Sequence, residues 1–196
     1  NGTFAWGKTA GNLHPQGNHI DSSGNYYTVG WYYSTNVRAY IAKFNSSGTL
    51  TYHREYTGGG GLKDVYTGVS TGPSGNTYVC GYYDITSGGA VYPMITKYNP
   101  SGTILYQRGR QLGTLGNLYL DGKVNSSETA YVAVGYYRTT ASRTNPLIEY
   151  WTGIGTSTPT ISWAKYSITA VNSFSRFISV EIDSGGNVIA VGSIDN

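Results

Sequence analysis

Charge is what this chain has least of. Of 196 residues, 13 are Lys or Arg and 10 are Asp or Glu, so charged residues make up 12%, about half the usual quarter. The basic residues are dispersed and the net charge is only +3, which excludes the clustered cationic footprint of a nucleic-acid-binding element. The lone cysteine, Cys80, excludes an internal disulfide and a cysteine metal cluster. No apolar run approaches the roughly 18 residues of a membrane-spanning helix. Ala, Leu, Glu and Lys are scarce, which excludes a helical bundle or coiled coil. No basic, then apolar, leader follows Asn1, so any signal segment is expected to be absent already. The three histidines, His14, His19 and His53, have no second ligand at metal spacing. No nucleophile elbow, phosphate loop or dinucleotide fingerprint occurs either. These absences predict a protein that is not an enzyme, with no catalytic residue, no metal and no cofactor.

Glycine, tyrosine, serine, threonine and valine fill the space. There are 28 glycines and 20 tyrosines, and 39% of the chain is hydrophobic, ample surface for a packed core. Self-similarity organises them. DSSGNYYTVGWYY begins at Asp21, GPSGNTYVCGYYD at Gly72, VNSSETAYVAVGYYR at Val124 and DSGGNVIAVGSIDN at Asp183. The glycine after each alternating run recurs as Gly30, Gly81, Gly135 and Gly192, at spacings of 51, 54 and 57. A second motif interleaves: AYIAKFNSSGTLTYHR from Ala39 and YPMITKYNPSGTILYQR from Tyr92. The third copy places Glu149 where the others carry Lys43 and Lys97, and NGTFAWGK enters the motif at its turn. Basic residues end each copy at Lys8, Arg54, Arg108 and Lys165.

Each period therefore holds four short strands: a (as in 177–182), b (26–30), c (40–44) and d (50–54). Tight Ser-Gly-Asn and Ser-Gly-Thr turns link a to b and c to d. Four strands per unit of about 50 residues is the pattern of a β-propeller of four-stranded antiparallel blades. The expected organisation is one propeller domain or segment over residues 1–196, with repeats near 18–56, 64–110, 115–166 and 176–196 and a closing strand at 3–8. The chain opens at a c–d turn and stops where a fourth c strand would start. A longer chain or neighbouring subunit is expected to supply the gap, a compact ring with one three-stranded blade being the other possibility. Val29, Ile41, Cys80, Ile95, Ile148, Val134 and Val191 are expected in the core. The four recurrent glycines should sit at the ends of b strands, and the basic d-strand residues should form a solvated outer rim.

The pattern D-x-x-G-N-x-Y-x-x-G, then A-x-x-x-K-[FY]-N-x-S-G-T, resembles the SBBP-type propeller repeat of bacterial surface proteins. It fits at Asp21, Gly24, Asn25, Gly30, Lys43, Asn45, Gly48 and Thr49, and again at Gly75, Asn76, Gly81, Lys97, Asn99, Gly102 and Thr103. It is also similar to Tyr/Gly/Ser-rich arrays in structural and tail-fibre-like proteins of marine bacteriophages. Ser127-Glu128 departs from it.

Loop lengths locate a ligand face. The b–c and d–a connections vary in length and emerge together, and variable loops on a rigid repeat carry function. Tyrosine pairs open the b–c loops, either as interblade packing or as stacking platforms for sugars. Candidate ligand residues are Tyr33, Arg38, Tyr83, Asp84, Tyr137 and Arg138. Asp21 and Asp183 superficially suggest calcium loops, but an Asp bonding its own turn explains them. The resemblance and the low charge imply an extracellular or virion-surface structural or adhesion propeller, mediating assembly or host attachment with other virion or cell-surface subunits. The alternative is a carbohydrate-binding module that takes glycans on the b–c and d–a face.

Overall fold

The computed structural model describes residues 12–56, 63–84, 90–110, 115–140, 143–166 and 174–193. Among them the secondary structure is fourteen strands and no helix. The first sheet is β1 (Leu13–Ile20), β2 (Tyr26–Tyr33), β3 (Val37–Phe44) and β4 (Leu50–Tyr56). The second is β5 (Asp64–Thr71), β6 (Thr77–Asp84), β7 (Val91–Tyr98) and β8 (Ile104–Gly109). The third is β9 (Leu118–Val124), β10 (Ala130–Thr140), β11 (Arg143–Thr152) and β12 (Thr160–Tyr166), and a hairpin of β13 (Arg176–Ile182) and β14 (Val188–Ser193) follows. Strands pair antiparallel in sequence order in every sheet. The sheets are the blades of a β-propeller. β5 packs across β1 to β3, β9 across β5 to β7, and β13 across β9 to β11. The first strand of each blade is thus innermost and the fourth its outer edge. The expected closing strand at 3–8 lies outside the described residues.

The core lies between the sheets. Val29, Ile41, Cys80, Ile95 and Val134 are buried there as the alternation predicts. Burial pushes the Cys80 thiol up to about 12, so it stays protonated and packs as a small apolar side chain. Two expectations fail. Ile148 is only half-buried, because its face meets the two-stranded hairpin rather than a four-stranded sheet. Val191 is 58% exposed, because it turns to the face of β14 that no further described sheet covers.

The recurrent glycines lie within the b strands, three or more residues before the ends of β2, β6 and β10. Each faces a bulge in the innermost strand, where one extra residue opposes it. A Cβ on Gly30, Gly81, Gly135 or Gly192 would lie 2.1, 2.0, 2.1 or 1.9 Å from the carbonyl oxygen of His14, Val65, Leu118 or Arg176. The bulge drives a backbone carbonyl into the space a side chain would need.

The a–b turns show how the third copy departs. In the first, Asp21 accepts hydrogen bonds from the Ser23 and Asn25 amides at 2.9 Å and from the Tyr27 hydroxyl at 3.0 Å. The second turn has Gly72 where Asp21 stands, and Glu128 of the third blade supplies the missing carboxylate. Glu128 accepts from the Ser74 amide at 3.1 Å, Asn76 Nδ2 at 2.7 Å and the Tyr78 hydroxyl at 2.8 Å, and lies 3.7 Å from Lys97 Nζ. Its own φ of 55° occupies the left-handed position that Gly24, Gly75 and Gly186 fill elsewhere, a conformation costing about 1–2 kcal/mol in a residue with a Cβ. Burial alone would raise the Glu128 pKa, but hydrogen bonds from Ser74, Asn76 and Tyr78 outweigh it and hold it below the ordinary value.

These contacts predict a swap. Glu128→Gly relieves the positive φ yet should lose about 1–3 kcal/mol, the penalty for stranding buried partners. Gly72→Asp alone should also destabilise, since its Cβ would meet the Glu128 carboxyl at 2.5 Å. The double variant gives the second turn the Asp of the first blade and the third turn its glycine, and its urea midpoint should return close to the parent's. Because the folded pKa of Glu128 is depressed, its contribution is present above the unfolded pKa and fades as pH falls through the folded one. The parent should therefore show an acid limb that Glu128→Gly lacks.

The outer basic residues are not a purely solvated rim. Arg54 lies over the Tyr52 ring at 5.4 Å and donates to the Gly102 and Ser101 carbonyls of the next blade at 3.1 and 3.2 Å. Arg108 donates in the same way to the Ser157 carbonyl. Orphan turn carbonyls next door are good acceptors for a guanidinium. Lys165 sits exposed over Trp163 at 5.5 Å, as expected, and Lys8 lies outside the described residues. The register also moves Glu149. Gly135 pairs with Leu147 as Gly81 pairs with Met94, which aligns Tyr150, not Glu149, with Lys97. Glu149 aligns with Thr96, and each faces the tyrosine of its own innermost strand, Tyr119 or Tyr66.

Candidate functional site

The described end of each d–a connection, just before the next blade begins, docks on the c strand of the blade it has left. Lys63 bridges Val37, the Asn117 amide donates to the Val91 carbonyl at 2.8 Å, and the Ser175 amide donates to the Thr144 carbonyl at 3.0 Å. The b–c and d–a ends therefore share one face, and their side chains meet in the clefts between blades.

One of these clefts lies between the third sheet and the final hairpin. It encloses about 550 Å³ and is lined by Tyr136, Arg138, Thr144, Phe174, Arg176 and Ser193. β10 presents Tyr136 and Arg138 on the face of Val134, because residues two apart on a strand point the same way. The Arg138 amide is pinned at 2.7 Å by the Asn117 side-chain oxygen, which fixes the end of that strand. Thr144 donates its hydroxyl to the Ser175 carbonyl at 3.0 Å, tying β11 to the start of β13. Phe174 stays 52% exposed at the mouth.

Cations dominate this region. Burial raises the Tyr136 pKa, while the positive charges of Arg138, Arg176 and Lys63 pull it back. Positive charge from three successive blades thus acts on one phenol, which remains a neutral donor. Lys63 Nζ also lies over the Tyr82 ring at 5.6 Å, within range of a cation–π attraction. The Arg138 Nε is buried and has no protein partner. Two aromatic rings, two guanidinium groups and two hydroxyls form a surface for a polar ligand with an apolar face.

Of the six residues expected to bind a ligand, only Arg138 lines this cleft. Tyr33 is 64% exposed at the end of β2. It is out of register with Tyr83 and Tyr137, whose equivalent is Tyr32, because Tyr33 lies three residues beyond its glycine and they lie two beyond theirs. Arg38 lies 3.9 Å from Glu55, beside the Tyr32 hydroxyl that donates to the same carboxylate. Tyr83 packs on the core between the first two blades and covers Gly109. Asp84 is buried, accepting the Lys63 amide at 3.0 Å. Tyr137 packs toward the second blade, its ring 5.9 Å from Tyr166. Tyr136, Phe174 and Arg176 were missed. Strand parity from Val134 would have selected Tyr136 and Arg138 together.

No group of three His, Cys, Asp or Glu residues among the described ones is placed to hold a metal ion. Asp21 and Asp183 are engaged by their own turns.

No family model and no curated protein matches the chain. Among solved structures it is similar to a periplasmic gluconolactonase of Pseudomonas aeruginosa, at 12% identity and a TM-score of 0.42, over 91% of this chain and 65% of that one. The chain thus spans just under two-thirds of the lactonase. It is also similar to a catalytically inactive virginiamycin B lyase from Staphylococcus aureus with quinupristin, at 12% identity and a TM-score of 0.33, over 93% and 85% of the two chains. The expectation that the chain is not an enzyme is corrected on this finding, since both proteins are enzymes. It rested on missing sequence motifs, and propeller sites are assembled from separated blades. At these scores the likeness gives this chain no reaction, substrate or site.

Proposed function

We propose that the chain is a saccharide-recognition propeller serving attachment or assembly at a cell or virion surface. The observation that carries this reading is the cleft of about 550 Å³ lined by Tyr136, Arg138, Thr144, Phe174, Arg176 and Ser193. A pyranose ring offers an apolar face to an aromatic side chain and hydroxyls to guanidinium and hydroxyl donors, and this lining supplies both. The position of the cleft among the variable connections supports the same reading. The likeness of the repeat to SBBP-type surface arrays and phage tail-fibre-like proteins supports an extracellular or virion-surface setting, with other surface subunits as partners.

A panel of immobilised oligosaccharides tests it. Phe174→Ala, at an exposed ring, should weaken saccharide binding about tenfold, the loss expected of one aromatic contact, and leave the melting temperature unchanged. Tyr33→Ala should bind as the parent does. Loss of binding in Tyr33→Ala with none in Phe174→Ala would move the site elsewhere on the face. A folded protein that binds no saccharide would refute the proposal.

A further inference from the structure

We infer that the saccharide taken by this cleft is acidic, its carboxylate or sulfate held by Arg138 and Arg176. The inference rests on the saccharide reading above and specifies its ligand class. No Asp or Glu among the described residues lines the cleft. Among the described residues the ion pairs are Arg38 with Glu55, Lys97 with Glu128, Arg110 with Glu149 and Lys123 with Glu181. Neither Arg138 nor Arg176 belongs to one. In a chain so poor in charge, two guanidinium groups in one cleft, with no carboxylate among its described lining residues, is a specific arrangement.

The guanidinium of Arg138 cannot be neutralised by losing a proton, so burying its Nε without an acceptor is unfavourable. An anion in the cleft beside this guanidinium would supply a counter-charge. Guanidinium groups match the oxygens of carboxylate and sulfate with paired donors, and such charge-assisted bonds are roughly twice as strong as neutral ones. Lys63, whose ammonium lies over Tyr82, adds a third positive charge near Tyr136 from the blade before. Asp84 is buried and held by the Lys63 amide, and it is not among the cleft-lining residues. Neutral sugars would use the rings and hydroxyls but leave these cations without a counter-charge.

Three probes decide it: hexamers of galacturonate, of sulfated galactose and of glucose, titrated calorimetrically into the parent, Arg176→Gln and Arg138→Gln. Arg176 is exposed, so its replacement should leave folding intact even if Arg138→Gln does not. An acidic hexamer should bind the parent at least about tenfold more tightly than the glucose hexamer, and Arg176→Gln should erase that margin by weakening the acidic hexamer far more than the glucose hexamer. Preference for galacturonate over sulfated galactose assigns the anion as carboxylate, and the reverse assigns it as sulfate. Affinity for the acidic hexamer should fall as salt is raised. Equal binding of neutral and acidic hexamers, or undiminished acidic binding in Arg176→Gln, overturns the inference and leaves saccharide recognition standing. No binding of any hexamer by the folded parent overturns both.

Discussion

Gly135→Ala is expected to cost more than about 4 kcal/mol, a loss reserved for substitutions that breach the backbone packing of a core. The new Cβ would lie 2.1 Å from the Leu118 carbonyl oxygen and 2.9 Å from the Tyr119 Cα. Both are backbone atoms of β9, so no side-chain rotation relieves the contact. Strand β9 cannot retreat easily, because it packs across the second blade on one side and against β13 on the other. Gly81→Ala should behave alike, with 2.0 Å to the Val65 oxygen. Gly155 is the control, since a Cβ there meets nothing within 4 Å, and Gly155→Ala should stay within about 0.5 kcal/mol of the parent. Urea midpoints of the three variants check this. A domain holds only about 5–15 kcal/mol in all, so Gly135→Ala should remove a large share of it. A Gly135→Ala variant within about 1 kcal/mol of the parent would mean that the bulge is displaced without penalty, contrary to the large loss expected of a backbone clash in a core.

The same glycines mark how far the fold was legible. Their recurrence between alternating runs and tight turns is a local signal, and local signals fix hairpins. Four strands per period then imply blades, and the sheets have that order. What fails depends on register. A pair such as Tyr136-Tyr137 always sends one ring each way, and only parity from Val134 tells which ring meets Arg138. Matching Glu149 to Lys97 puts it one place too far along, because its copy lacks the lysine that anchors the other two. Glu128 reads as a defect in its own turn, whereas its carboxylate completes the turn of the preceding blade. Partners roughly 50 residues apart are invisible to a local reading. The cleft shares that property: Arg176 reaches it from the last hairpin and Tyr136 from the third blade, and no spacing rule joins them.

Arg110→Ala is expected to lose about 3–5 kcal/mol at neutral pH, the effect of stranding one partner of a buried ion pair. Glu149 has no exposed surface. One carboxylate oxygen accepts from Arg110 and the other from the Tyr119 hydroxyl. Burial raises the Glu149 pKa, and the Tyr119 hydrogen bond and the Arg110 charge counter that only in part. A folded pKa above the unfolded one makes Glu149's contribution greatest below the unfolded pKa and diminishing as pH rises through the folded one. Ionised Glu149 is therefore a net burden at neutral pH, which Arg110 limits, and removing Arg110 exposes it in full. The deficit of Arg110→Ala should shrink as pH is lowered and the carboxyl takes its proton. It should also shrink in the Arg110→Ala, Glu149→Gln double variant, because a neutral amide needs no counter-ion and can still accept from Tyr119. Glu149→Gln alone should cost less than Arg110→Ala, because the Arg110 it leaves without a counter-ion is part-exposed and can meet water, whereas Glu149 cannot. Urea midpoints at neutral and mildly acidic pH separate the alternatives. A deficit that is the same at both, and the same in the glutamine background, would show that Arg110 holds the second and third blades by packing of its stem and not by charge.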